Sequence, residues 1–140
     1  MHQNEKLLDA FTHAWLVHDI DAVVSFFAAD AVFFASSAYG TRQRASGRED
    51  IRALVREMFE TDVGAILEPI DKIIFDEGAF CRWRYIMPDG EISLGCDYFA
   101  MMNGSVTLKD AYRKEGSFQN SAVKIPTAYR NNAGGNNATT

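Results

Sequence analysis

An Asn-Gly pair, Asn103-Gly104, sits between two β-rich runs, LGCDYFAMM before it and SVTLKDAYR after it. No other feature constrains the fold as much, because both central residues of a type I′ turn need φ > 0 and this dipeptide meets that need at least cost. With a two-residue loop, Met102 faces Ser105 and the register follows by counting outward. Met101 then meets Val106, Phe99 meets Leu108 and Asp97 meets Asp110. Side chains alternate between the faces of a strand, so these pairs share one side of the sheet. Two carboxylates at the end of an apolar stripe are costly to bury, and so they mark a candidate site.

The stretch Pro88-Asp89-Gly90-Glu91 carries the Asp-Gly form of the same turn and pairs Pro88 with Glu91. Counting outward sets Phe80 opposite Phe99 and Arg82 opposite Asp97. A turn at Asp76-Glu77-Gly78 sets Phe75 against Phe80 and Ile73 against Arg82. Two neighbouring rows result: Phe75–Phe80–Phe99–Leu108, wholly apolar, and Ile73–Arg82–Asp97–Asp110, charged. A β-bulge anywhere along these strands would shift the pairing.

A chain of 140 residues, 47% hydrophobic with ten Phe, is long enough to bury the core of one domain. Its net charge of −5 argues against nucleic acid or an anionic membrane surface as partner. The N-terminal MHQNEKLLD lacks the apolar core of a signal peptide, and no run approaches the length of a membrane span. The two cysteines, Cys81 and Cys96, have no metal-ligand spacing and read as reduced packing residues. A cytoplasmic protein without a metal or other cofactor is the expectation.

Along the chain, Asn4 is placed to cap a helix whose apolar stripe is Leu7, Leu8, Phe11 and Trp15, with His13 pointing away into solvent. Asp19 or Asp21 caps a second, short helix over AVVSFFAA, and AVFFAS is a first strand. Ser36 to Arg44 reads as a loop, and Ser46-Gly47-Arg48-Glu49 as the capping box of a third helix with Ile51, Leu54, Val55, Met58 and Phe59 on one face. Four strands follow to about Glu115. The class is α+β: a curved antiparallel sheet whose concave face is covered by three helices. Residues 1–116 form the domain, and 117–140, ending in an Asn/Gly/Thr/Ala run, read as a tail.

The runs WLVHDIDAVVSFFAADAVFFAS, ASGREDIRAL and DGEISLGCDYFAMMNGSVTLKDAYR, in that order and spacing, resemble the SnoaL-like branch of the nuclear transport factor 2-like superfamily. The resemblance spans about residues 5 to 115. It implies a cone-shaped domain enclosing a small-molecule cavity, dimerising through the sheet. It also tells against two chemistries of the superfamily. The catalytic base of the steroid isomerases falls at Ala35 and their cavity tyrosine at Phe11, although their oxyanion-stabilising acid falls at Asp97. The Asp–Arg–Asp trio of the limonene epoxide hydrolases keeps its second aspartate at Asp110 but has Arg82 at its first. SnoaL-like cyclases use an acid on the last strand, and Asp110 is the matching residue.

If Arg82, Asp97 and Asp110 line a cavity, the arginine favours the ionised form of Asp97 and that charge raises the pKa of Asp110. Such a pair holds one proton and suits proton shuffling beside a carbonyl, as in cyclisation or isomerisation. Tyr112, two residues beyond Asp110, would hydrogen-bond a substrate oxygen. Phe11, Trp15, Phe26, Phe33, Met58 and Phe99 would supply apolar walls. The expected function is cofactor-independent lyase, isomerase or cyclase chemistry on a hydrophobic carbonyl compound. The alternative is a non-catalytic ligand-binding or dimerising module. A homodimer is expected through the outer sheet face, with Trp83, Tyr85, Leu94, Cys96 and Tyr98.

Overall fold

Leu7, Leu8, Phe11 and Trp15 form the buried stripe of helix α1 (Gln3–Leu16). The structure, a computed structural model, describes residues 1–36 and 43–114. His2, rather than Asn4, caps this helix: its Nδ1 accepts from the Asn4 backbone N–H at 3.0 Å. Asn4 lies in the first turn and donates its side-chain amide to the carbonyls of Phe75 and Asp76, at 2.9 and 3.1 Å. Asp19 caps helix α2 (Ile20–Ser25) through the Ala22 N–H. That helix ends earlier than expected, because Phe27–Phe34 is strand β1 and the Phe26 carbonyl already accepts from the Val106 N–H.

Strand β2 (Arg44–Ser46) forms where the loop was expected to end, and it pairs with β1. Ser46 is thereby committed to the sheet and cannot cap helix α3 (Arg48–Thr61). Gly47 occupies the cap with φ 84°, and the Ser46 N–H donates to Asp50 Oδ2 at 2.9 Å. The four-strand meander is β3 (Ile66–Phe75), β4 (Gly78–Ile86), β5 (Ile92–Met102) and β6 (Ser105–Lys114). The architecture is the expected α+β one, in a six-stranded sheet of order β2-β1-β6-β5-β4-β3. One pairing departs from an all-antiparallel sheet: β1 runs parallel to β6. The 117–140 tail and part of the expected Ser36–Arg44 loop lie outside the described residues.

The Asn-Gly turn forms as read, with Asn103 at φ 53°, Gly104 at φ 78° and Met101 facing Val106. One residue later the register breaks. Ala100 pairs with Leu108, leaving Thr107 as the extra residue, its hydroxyl donating to the Ala100 carbonyl at 3.2 Å. A one-residue slip moves every later side chain to the other face. Phe99 therefore faces Lys109, Asp97 faces Ala111, and Asp110 faces Tyr98.

The preceding turn slips as well. Only Gly90 has positive φ there, at 89°, so Asp89-Gly90 is not a type I′ pair. Pro88 cannot donate to the ladder but suits the second position of a type I turn. Met87, Pro88, Asp89 and Gly90 make that turn, closed by Gly90 N–H to the Met87 carbonyl at 2.9 Å. The three-residue loop sets Cys81 against Asp97 and Arg82 against Cys96. Asp71, not Ile73, faces Arg82 across β3.

These slips overturn the charged row. Asp97 faces the helices together with Cys81, Trp83, Tyr85, Phe99, Lys109 and Arg113, whereas Arg82 and Asp110 alternate to the outer face. Trp83 and Tyr85, expected outside, point inward; Leu94, Cys96 and Tyr98 do lie outside. Gly95 faces Trp83 and makes room for it, since a Cβ there would fall 2.2 Å from the indole ring. Gly95→Ala is expected to destabilise the protein by about 1–3 kcal/mol through overpacking. Urea denaturation checks this, and an unchanged midpoint would show that Trp83 does not depend on that space.

Candidate functional site

Helix α1 and the sheet are held apart at one end, and the gap between them is a cavity of about 410 Å³. Its mouth lies between the outer side of α1, with Asp9, Thr12, His13 and Leu16, and the irregular Pro69–Asp71 stretch of β3. Lys72 bridges that rim, its Nζ 2.9 Å from Glu5 and 2.8 Å from Asp9 on α1. Phe11, Trp15, Trp83, Tyr85 and Phe99, with Met58, give the walls an aromatic and apolar character suited to an apolar ligand.

Two charged groups stand in this apolar wall. Lys109 Nζ lies 3.3 Å from Asp97 Oδ1, and their side chains are 4% and 9% exposed. The pairing is diagonal across β5 and β6, since Lys109 faces Phe99 and Asp97 faces Ala111. The ammonium also lies 4.4 Å from the ring centre of Phe33, 4.9 Å from Trp15 and 5.7 Å from Phe99. These are cation–π distances, and they offset part of the cost of removing the charge from water. Asp97 Oδ2 accepts the Trp83 indole N–H at 3.0 Å and has the Cys81 Sγ at 4.0 Å. Burial pushes the Asp97 carboxyl above the ordinary range, with a smaller push from Asp110, against the opposing pull of Lys109 and Trp83. Burial likewise pushes the Cys81 thiol up, away from the reactive thiolate form.

A second polar chain closes the far end. The Trp15 indole N–H donates to the Tyr85 hydroxyl at 2.8 Å, and the Arg113 guanidinium lies 5.0 Å above the Tyr85 ring. Arg113 Nη1 is 3.5 Å from the buried Asp62 carboxylate, and Nη2 donates to Ser93 Oγ at 3.3 Å. Burial raises the Tyr85 hydroxyl pKa, so it stays protonated as a donor. Among the described residues no cluster of His, Cys, Asp and Glu could hold a metal ion.

The SnoaL-like domain model matches residues 8–108. The chain belongs to the SnoaL-like family. Solved structures of low identity share its fold. An NTF2-like protein of unknown function from Mesorhizobium loti is 22% identical with a TM-score of 0.68, covering 81% of this chain and 92% of its own. TerC, co-crystallised with polyporic acid, is 15% identical with a TM-score of 0.70 over 81% and 92%. A candidate polyketide cyclase from Sinorhizobium meliloti is 16% identical with a TM-score of 0.66, over 80% and 100%. No curated protein matches the chain.

Within this SnoaL-like domain the expected site residues separate. Asp97, Phe11, Trp15, Met58 and Phe99 line the cavity. Phe33 stands behind Lys109, and Phe26 packs on Phe11 at 6.2 Å, so both back the wall rather than line it. Asp110 and Tyr112 are corrected to the outer face, where the Tyr112 hydroxyl donates to Asp110 at 2.9 Å. Arg82 is among the residues that border the cavity, with its guanidinium held by Asp71 in a two-pronged ion pair. His13 is exposed, as expected, but at the cavity mouth. Lys109, Trp83 and Arg113 were missed. The signal for Lys109 and Arg113 was the alternative alternation Lys109–Ala111–Arg113, which the Thr107 bulge selects, and that for Trp83 was the three-residue reading of the Pro88–Gly90 loop.

Removing one member of a buried pair leaves the other uncompensated, so Lys109→Met is expected to cost about 3–5 kcal/mol. The double variant Lys109→Met/Asp97→Leu is expected to recover part of that loss; a sum of the two single losses in urea denaturation would show no coupling. The raised Asp97 pKa has a definite sign. The folded state holds this proton more tightly, so the stability it contributes is full below the ordinary carboxylate pKa of about 3.9 and is lost as pH rises through the folded value. Melts of the wild type against Asp97→Asn are therefore expected to shift in favour of the variant between acid and neutral pH. A shift the other way would mean that the pair holds Asp97 ionised.

Proposed function

We propose that this SnoaL-like chain is a cofactor-independent acid–base enzyme that binds a hydrophobic carbonyl compound in its cavity. The observation that carries the reading is the Asp97–Lys109 pair, buried in an aromatic wall with the cavity in front of it. Asp97 is the proton-transferring group: ionised it removes a proton beside the carbonyl, and protonated it returns one. Lys109 holds positive charge where negative charge develops on the substrate oxygen, in surroundings where such charge is poorly screened. Enolisation of this kind underlies isomerisation, cyclisation by carbon–carbon bond formation, and elimination. The fold is shared with a candidate polyketide cyclase and with a protein co-crystallised with an organic acid, which agrees with a small-molecule role.

The test is hydrogen–deuterium exchange at the carbon next to the carbonyl, followed by NMR for a panel of hydrophobic aldehydes and ketones in D₂O. Exchange is expected to exceed the buffer rate and to fall by about 100-fold or more in Asp97→Asn. Asp110→Asn is expected to leave it unchanged, because that side chain is on the outer face. A compound that binds without exchange would leave a binding module and not an enzyme, and undiminished exchange in Asp97→Asn would remove Asp97 as the proton-transferring group.

A second observation favours self-association. The outer face of β3 to β6 carries Phe75 stacked on Tyr98 at 6.1 Å, with Phe80 and Cys96 beside them, and no described helix lies over it. We propose a homodimer through this face, with Arg82–Asp71 and Arg84–Glu68 as polar edges. Mass in solution at micromolar concentration is expected to be twice that of the chain and to halve in Tyr98→Asp. A monomeric wild type would contradict it.

A further inference from the structure

Lys109 is a primary amine at the bottom of an aromatic cavity, and the acid–base reading uses only its charge. Its side chain is 4% exposed, and the space in front of it is the cavity itself. One proton acceptor lies close to Nζ, Asp97 Oδ1 at 3.3 Å. That oxygen is buried and has this ionic contact without a hydrogen-bond partner of its own. A desolvated lysine beside a group that can take and return its proton has the elements of an imine-forming nucleophile.

We propose that Lys109 forms a covalent imine with an aldehyde or unhindered ketone in this cavity. This deepens the carbonyl reading given above and rests on it, since both require a carbonyl compound to enter. The steps balance without any added oxidant or reductant. The ammonium passes one proton to Asp97, which converts an ion pair into two neutral groups and relieves the cost of burying charge. The Nζ lone pair adds to the carbonyl carbon, and the carbonyl oxygen takes the proton from Asp97. The nitrogen then loses a second proton to the same carboxylate. Asp97 returns that proton to the new hydroxyl, which leaves as water while the C=N bond forms. The product is a protonated imine beside the Asp97 carboxylate. Its positive charge remains where the ammonium was, against Trp15, Phe33 and Phe99. Such an imine lowers the barrier to removing a neighbouring proton, so Asp97 would serve both stages.

The experiment incubates the full chain with 2-naphthaldehyde and sodium cyanoborohydride, then maps modified peptides by mass spectrometry. The expected result is an adduct of the aldehyde mass less one oxygen, on Lys109 ahead of the other lysines. Labelling at Lys109 should be about 100-fold slower or more in Asp97→Asn, the scale of a lost proton-transfer group. Adducts confined to the other lysines, or none in the wild type, would overturn the proposal without depending on any variant's ability to fold. Quenching of Trp15 and Trp83 fluorescence by the same aldehyde separates the two readings. Quenching without a Lys109 adduct removes the imine and leaves the acid–base site standing. Neither quenching nor adduct removes both.

Discussion

A lysine ammonium buried among aromatic rings is the constraint that the rest of this domain answers to. Left alone in such surroundings, the charge would cost several kcal/mol. Lys109 is accommodated by one carboxylate and three rings, contributed by helix α1 (Trp15), strand β1 (Phe33) and strand β5 (Asp97 and Phe99). Three elements distant in sequence therefore meet at one nitrogen. The carboxylate in turn is held by the Trp83 indole, which fits only because Gly95 lies opposite it. The site is a chain of dependencies: a missing Cβ admits an indole, the indole orients a carboxylate, and the carboxylate neutralises an amine.

The cavity in front of this pair has an apolar body and few charged points, which fixes how a ligand would lie. An apolar compound gains most by burying itself against Phe11, Trp15, Met58 and Trp83, and a single oxygen on it would seek Lys109. The mouth has a different character. Lys72 joins α1 to β3 through Glu5 and Asp9, so the rim is tied by partly exposed ion pairs, which are individually weak. Trp15 and Tyr85 close the far end by their 2.8 Å hydrogen bond, with Arg113 and Asp62 buried behind them. Polar groups deep in the domain are thus paired with one another, and the Asp97–Lys109 pair is a buried ion pair set in the cavity wall.

The α+β class, the helix stripes, the meander and the Asn103-Gly104 turn were legible because each rests on local chemistry: periodicity, caps, and residues that tolerate positive φ. The family resemblance was legible for the same reason. The site was legible only in part. Asp97, Phe11, Trp15, Met58 and Phe99 lie along the cavity, whereas Asp110 alternates to the other face and Arg82, which borders the cavity, pairs with Asp71 and not with Asp97. Both departures come from single-residue slips. Thr107 is an unremarkable strand residue, and nothing in Val106-Thr107-Leu108 signals that the ladder skips there. Pro88-Asp89-Gly90 admits either a two-residue or a three-residue loop, and the proline's missing N–H favours the latter. Since strand faces alternate with a period of two, one such slip exchanges a whole row of side chains. It put Ala111 where Asp110 was expected and Lys109 where Leu108 was expected, so Asp97 meets an amine diagonally in place of a second acid.

The account stands on Asp97 being a desolvated carboxyl coupled to Lys109 and Trp83 at the cavity wall. Its most direct test is an NMR titration following the Asp97 side-chain carboxyl carbon and the Trp83 indole N–H in the same sample. The account predicts a carboxyl midpoint above the ordinary aspartate value of about 3.9, with the indole proton shifting through the same midpoint because it bonds to that carboxylate. It also predicts that a hydrophobic carbonyl ligand moves both signals together. A midpoint at or below the ordinary value, with an indole signal indifferent to it, would contradict the account.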